Sequence, residues 1–276
     1  MTTSLHYAPT PTTWAPSDRP SIRARLDDLN AIRPTLKSEW VKLSSLRSTF
    51  AILGVNMVVA ALVSWLTATF ATGEVLTVSQ IYIYATVLTA VFSAVAGVLT
   101  VTSEMQHGTL ATALSAQPAR WVIVAAKAVV ASGTGLALGA TGIAAGVGGA
   151  AVGGLRFGDT SDMPVTVLWA LLFTTMAGIL GVGIGLIARH SSGAISGLMV
   201  WALGVEMLLR GATPARFARF LPFGAGNALL GVKSTMESAE RAAAAFSRPE
   251  NALLFIAYAA AALVAGTILL YRRDAD

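Results

Sequence analysis

Six long apolar stretches, at residues 49–70, 80–102, 122–152, 164–188, 193–209 and 251–271, alternate with polar segments along the chain. A helix of about 20 apolar residues crosses about 30 Å of hydrocarbon, so each stretch predicts a transmembrane helix. The third carries Gly135, Gly139, Gly142, Gly146, Gly149 and Gly153, and the fourth carries Gly181 and Gly185. Such spacings let helix backbones approach closely and predict packing faces inside a bundle; a glycine-lined conduit is the alternative.

The polar segments differ in kind. Residues 1–34, with Pro11, Pro16 and Pro20 followed by a charged stretch, read as a flexible tail that turns helical near its end. Residues 35–48, TLKSEWVKLSSLRS, put Leu36, Trp40 and Leu43 at helical spacing beside Lys37, Lys42 and Arg47, which predicts a helix lying at the membrane interface. Residues 103–120 make a connection longer than a turn requires. Glu104 there is expected to open a short helix, where an acid suits the dipole. Gly108 would permit close approach, and Leu110 with Leu114 would form an apolar ridge at i, i+4 spacing. A solvated connector is the plainer reading. Residues 217–232 are apolar but broken by Pro222, Gly224 and Gly226, too interrupted to span easily, and predict a re-entrant or interface-lying element; a seventh span competes with that reading. Ser234 and Glu237 have the spacing of a capping box for a further short helix through Phe246.

Composition narrows the class. Of 276 residues, 55% are hydrophobic and only 12% charged, with mean hydropathy +0.68, which excludes a water-soluble fold. The predicted architecture is an all-α polytopic membrane protein of six transmembrane helices. The net charge of +5 calls for no nucleic acid, because polytopic proteins concentrate Lys and Arg in cytoplasmic segments. With the N-terminus inside, the cytoplasmic segments hold Arg19, Arg23, Arg25, Arg33, Lys37, Lys42, Arg47, Arg120, Lys127, Arg189, Arg272 and Arg273, and six spans return the C-terminus inside. The segment 210–250 opposes this orientation with Arg210, Arg216, Arg219, Lys233, Arg241 and Arg248.

Candidate chemistry is sparse. Absence of cysteine removes disulfides, thiol nucleophiles and Cys-based metal sites. His6, His107 and His190 all lie outside the predicted spans, and Ser191 and Ser192 beside His190 are the weak basis for a membrane-embedded hydrolase. No GxxxxGK[ST] phosphate loop occurs, so any ATP that drives the protein is bound by another chain. Glu206 and Arg210, four apart at the end of the fifth span, predict a self-paired charge near the boundary, with a substrate contact as the alternative.

Three features together resemble the ABC-2 type permease family, the membrane subunits of ATP-binding-cassette exporters. LKSEWVKLSSLRSTF, before the first span, is similar to the Ser-Glu-Trp-x-Lys lead-in of actinobacterial members. TSEMQHGTLATALSAQPARWVIVAAKA is similar to the family's S-E-x-x-x-G-T-L element and its exit into the third span. Six spans with an outer re-entrant element before the last complete the likeness, over residues 35–273. The tail is longer and the outer segment more basic than the family pattern.

The resemblance implies a permease coupled to separate ABC ATPase subunits in the bacterial plasma membrane, with both termini cytoplasmic and a second permease copy or paralogue beside it. Residues 103–120 would be a cytoplasmic coupling helix, with Ser103, Glu104, Gly108, Thr109, Leu110 and Leu114 engaging the ATPase. Lys37, Glu39, Trp40, Lys42 and Arg47 would belong to the interfacial helix, against membrane lipid. No cofactor is expected on this chain, since ATP and Mg would sit on the partner. A secondary transporter or membrane scaffold without an ATPase is the alternative.

Overall fold

Apolar runs without internal proline or charge propagate as helices because no water competes for their backbone groups in a bilayer. The computed structural model describes residues 22–45, 47–70, 82–116, 119–156, 158–231 and 245–273, and these are helical without any strand. In order they form α1 (Ile22–Ser45), α2 (Arg47–Phe70), α3 (Thr86–Gln106), α4 (Thr109–Ala116), α5 (Arg120–Val152), α6 (Met163–Ala188), α7 (Ser191–Ala212), α8 (Ala215–Ala218), α9 (Pro222–Ala228) and α10 (Arg248–Arg273). Six of them, α2, α3, α5, α6, α7 and α10, are long and apolar enough to cross a membrane. The first 21 residues, the capping box at Ser234 and most of the helix expected after it lie outside the described residues.

Helix α6 occupies the centre, bordered by α3, α5 and α10, while α2 lies against α5 and α7 against α3 and α6. The glycines of α5 and α6 explain this closeness. A methyl group on Gly178 would lie 2.6 Å from the Ala131 carbonyl oxygen, Gly181 faces the Ala94 carbonyl, and Gly149 faces that of Ala61. Neighbouring backbone fills these faces, so they are packing surfaces and not the walls of a conduit. Asn56, buried in α2, adds a polar tie by donating to the Leu138 carbonyl at 3.0 Å. Outward faces of α2, α7 and α10 expose Phe50, Val58, Met207, Leu208, Leu253 and Val264. Such apolar exposure suits a protein solvated by lipid.

Several boundaries differ from expectation. Helix α1 reaches back to Ile22 through Pro34, so the charged stretch before residue 34 is helical. Helix α3 runs four residues past 102 because its polar residues do not break it: the Thr102 hydroxyl donates to the Val98 carbonyl at 3.0 Å. Glu104 therefore lies in the last turn of α3 and not at the start of the next helix, and its charge opposes the local dipole instead of suiting it. Helix α7 contains a π-helical turn at Val200–Val205, which no apolar pattern signals. Residues 215–228 form two short helices and not one spanning helix.

One end of the bundle gathers the ends of α1, α3, α6 and α10 with the starts of α2, α5 and α7. Lys42 meets Glu104 there, Arg120 meets Leu270, and Ser191 meets Gln106. We call this the proximal face. The distal face carries the α5–α6 connection, α8, α9 and the start of α10.

Candidate functional site

Four charged side chains converge under the proximal face. Glu39 and Lys42 come from one face of α1 at i, i+3 spacing, Glu104 from the last turn of α3, and Lys127 from about two turns inside α5. The Lys127 ammonium is 2.9 Å from Glu39 Oε2 and 2.8 Å from Glu104 Oε2. Lys42 Nζ is 2.7 Å from Glu39 Oε1 and 3.0 Å from Glu104 Oε1. Each carboxylate thus bridges both ammonium groups, giving a closed ring of two acids and two bases with no net charge.

Lys127 is 1% exposed and also donates to the Thr100 carbonyl at 3.1 Å. An isolated ammonium at that depth would be costly; Lys127 donates to Glu39 Oε2 and the Thr100 carbonyl, and the Glu104 carboxylate adds a close counter-charge without hydrogen-bond geometry. Burial alone would lower the pKa of Lys42, but hydrogen bonds and charge from Glu39 and Glu104 hold it above its ordinary value.

The connection after α3 is braced on several further sides. Gly108, at φ +69°, supplies the left-handed residue that ends α3, and a methyl group there would meet nothing within 4 Å. Thr109 begins α4, is exposed, and its hydroxyl donates to the Glu104 carbonyl at 3.4 Å. Leu110 is 6% exposed and packs with Val101, Val124, Val182 and Leu186, which corrects the expectation that it forms part of an outward ridge. The Leu114 side chain lies outside the described residues. Ser103 spends its hydroxyl on the Leu99 carbonyl within α3. The Gln106 side chain accepts from the Ser191 hydroxyl at 2.7 Å. Arg120 donates to the Leu270 carbonyl at 2.9 Å and stacks on Tyr271, capping the C-terminal end of α10.

No family model and no curated protein sequence matches this chain. Its own geometry has to carry the functional reading, and that geometry departs from the residue pattern in two ways. Among the interfacial residues, Glu39 and Lys42 join the ring, whereas Trp40 is 56% exposed and Lys37 and Arg47 point to the surroundings. In the sequence the central member, Lys127, reads only as a basic residue at the exit into the third span. A lysine inside an apolar run calls for a buried counter-charge, and that was the available signal.

A second polar cluster lies toward the distal face. Glu206, 3% exposed in α7, accepts from the backbone N–H of Phe223 at 3.1 Å and from that of Gly224, so its carboxylate caps α9. The expected Glu206–Arg210 pair is thereby modified. The carboxylate is spent on α9, and the Arg210 guanidinium lies beside Gly224, contributing nearby positive charge. Phe223 then packs edge-on against Phe173 and Phe255, which fixes α9 on α6 and α10. His190 caps α7: its Nδ1 accepts from the Gly193 N–H at 3.3 Å and lies 3.0 Å from the Ser192 hydroxyl. That nitrogen serves the helix terminus, which weakens the case for a nucleophile and base in this turn.

Proposed function

We propose that the protein is the transmembrane permease subunit of an ABC-2 type exporter. The proximal face is then cytoplasmic, in a bacterial plasma membrane, and ATP with Mg is hydrolysed on separate ATPase subunits paired with two permease copies or a permease and its paralogue. The observation that carries this reading is the ion ring joining α1, α3 and α5. A push on the exposed turn at His107, Gly108 and Thr109 would pass through Glu104 to Lys127 and Glu39, and so to the interfacial helix and the third span together. Rigid coupling of surface levers to spanning helices is what an externally powered transporter requires. The basic residues along α1 and at Arg120, Arg189, Arg272 and Arg273 support the cytoplasmic assignment of that face. In this reading α8 and α9 form the outer re-entrant element.

Glu104 takes a different part from the one its motif implies. It transmits through the ring and does not itself dock, leaving the turn residues to meet the ATPase. Purified alone, the permease should hydrolyse no ATP. Co-purification from native membranes should bring an ABC ATPase, whose release by Thr109→Trp would leave the isolated permease folded and equally helical. A Thr109→Trp protein that retains the full complement of ATPase and full nucleotide-driven transport would sink the docking assignment.

A further inference from the structure

The basic character of the distal segment is not used by the coupling reading. Between residues 206 and 231, Arg210, Arg216 and Arg219 accompany a single acid, Glu206. That acid is already committed to the Phe223 and Gly224 N–H groups. Among the described residues, the Arg210 guanidinium makes no hydrogen bond or close ion pair, and it interacts electrostatically with Glu206. Arg210 borders a cavity of about 200 Å³ whose walls also include Val87, Leu203, Glu206, Met207, Phe223 and Asn227. The cavity therefore holds one cation, beside Asn227 and a carboxylate already taken by two backbone N–H groups, in otherwise apolar walls.

Its depth is informative. Arg210 precedes the end of α7 at Ala212 by two residues, about 3 Å along the axis, and Val87 is the second residue of α3. Both positions put the cavity at the distal rim of the spanning helices, where headgroups meet hydrocarbon. Below Arg210, Met207 and Leu203 continue an exposed apolar strip along α7. In α8, at the same end of the bundle, the exposed Arg216 guanidinium lies 4.9 Å from the Phe217 ring centre.

We infer that this cavity binds an anionic phospholipid, with the phosphate on Arg210 and an acyl chain along Leu203 and Met207. A guanidinium matches the oxygens of a phosphate in a fork geometry, and the apolar strip matches the chain below it. A zwitterionic lipid would need an acceptor for its ammonium, and the one carboxylate at the site is held by α9. The site needs no ATPase and is independent of the transport reading.

Native mass spectrometry of the full chain, released from nanodiscs of equal phosphatidylglycerol and phosphatidylcholine, tests the site without any ATPase present. The wild type should retain phosphatidylglycerol over phosphatidylcholine about fivefold, the scale of one basic residue at an anionic surface. Arg210→Gln should abolish the preference, Arg210→Lys should keep only part of it, and Arg272→Gln at the proximal face should leave it unchanged. Circular dichroism and gel filtration of each variant establish that it is folded. A wild type without preference, an Arg210→Gln protein that keeps it, or equal loss in Arg272→Gln would overturn the assignment.

Discussion

Lys127 concentrates the energetics of the proximal face in one side chain. Removing one partner of a buried ion pair costs about 3–5 kcal/mol, because the remaining charge stays buried without compensation. Lys127→Met should therefore lower the thermal unfolding midpoint in detergent clearly, leaving Glu39 and Glu104 facing Lys42 alone. Adding Glu39→Gln leaves one neutral pair, Lys42 with Glu104, so the double variant should lose less than the sum of the single losses. Additive losses would show that the four groups do not act as a ring. Lys42 should add no pH dependence near neutrality. Its folded pKa is raised, so its stabilising effect is fully present below the ordinary value of 10.5 and is lost only as pH climbs through the higher folded value. The sequence marks all four residues as charged but not as neighbours, because Glu39 and Lys127 meet across 88 positions of chain.

At the scale of elements, glycines divide into those that fit against backbone and those that face open space. Gly178 belongs to the first group, whereas a methyl group on Gly148 would meet nothing within 4 Å. Gly178→Ala should destabilise the α5–α6 contact, and Gly148→Ala should be neutral or stabilising by up to about 1 kcal/mol through helix propensity. Thermal melts of both variants in one detergent decide the matter, and equal behaviour would refute the packing account. The cap on α9 makes a separate prediction. Glu206→Ala removes the acceptor for two N–H groups, a cost of about 1–3 kcal/mol where a donor is left unpaired. Hydrogen exchange at Phe223 and Gly224 should accelerate, with α5 unchanged. The length of the apolar runs marks all six helices able to cross a membrane, yet it is silent on the π-helical turn of α7 and on the cap. Both depend on what lies beside the helix and not on its own apolar pattern.

The whole molecule has two unlike faces, one tied by ions and the other by an aromatic cluster with a capped short helix. Native absence of cysteine makes the sidedness directly measurable with single introduced thiols. In intact cells, Gly108→Cys should react with an impermeant maleimide only after the membrane is opened, while Asp159→Cys should react at once. The reverse pattern would place α1 and the α3–α4 turn outside and remove the site for an ATPase. The sequence bears on orientation only through a bias of Lys and Arg among segments, a bias that the distal arginines dilute.

Chain pattern alone determined the class of solvent and the number of long helices, because the length of an apolar run is set against the thickness of hydrocarbon without reference to any other residue. Its small-residue spacing also announced close packing. Tertiary packing decided which way each polar side chain faces. It turned Leu110 inward, brought Glu104 into a ring with Lys127, and spent Glu206 on α9 while leaving Arg210 beside a cavity. Each outcome follows from burial: a charge or polar group inside the bundle takes the partner that packing brings within about 3 Å, whatever its distance along the chain.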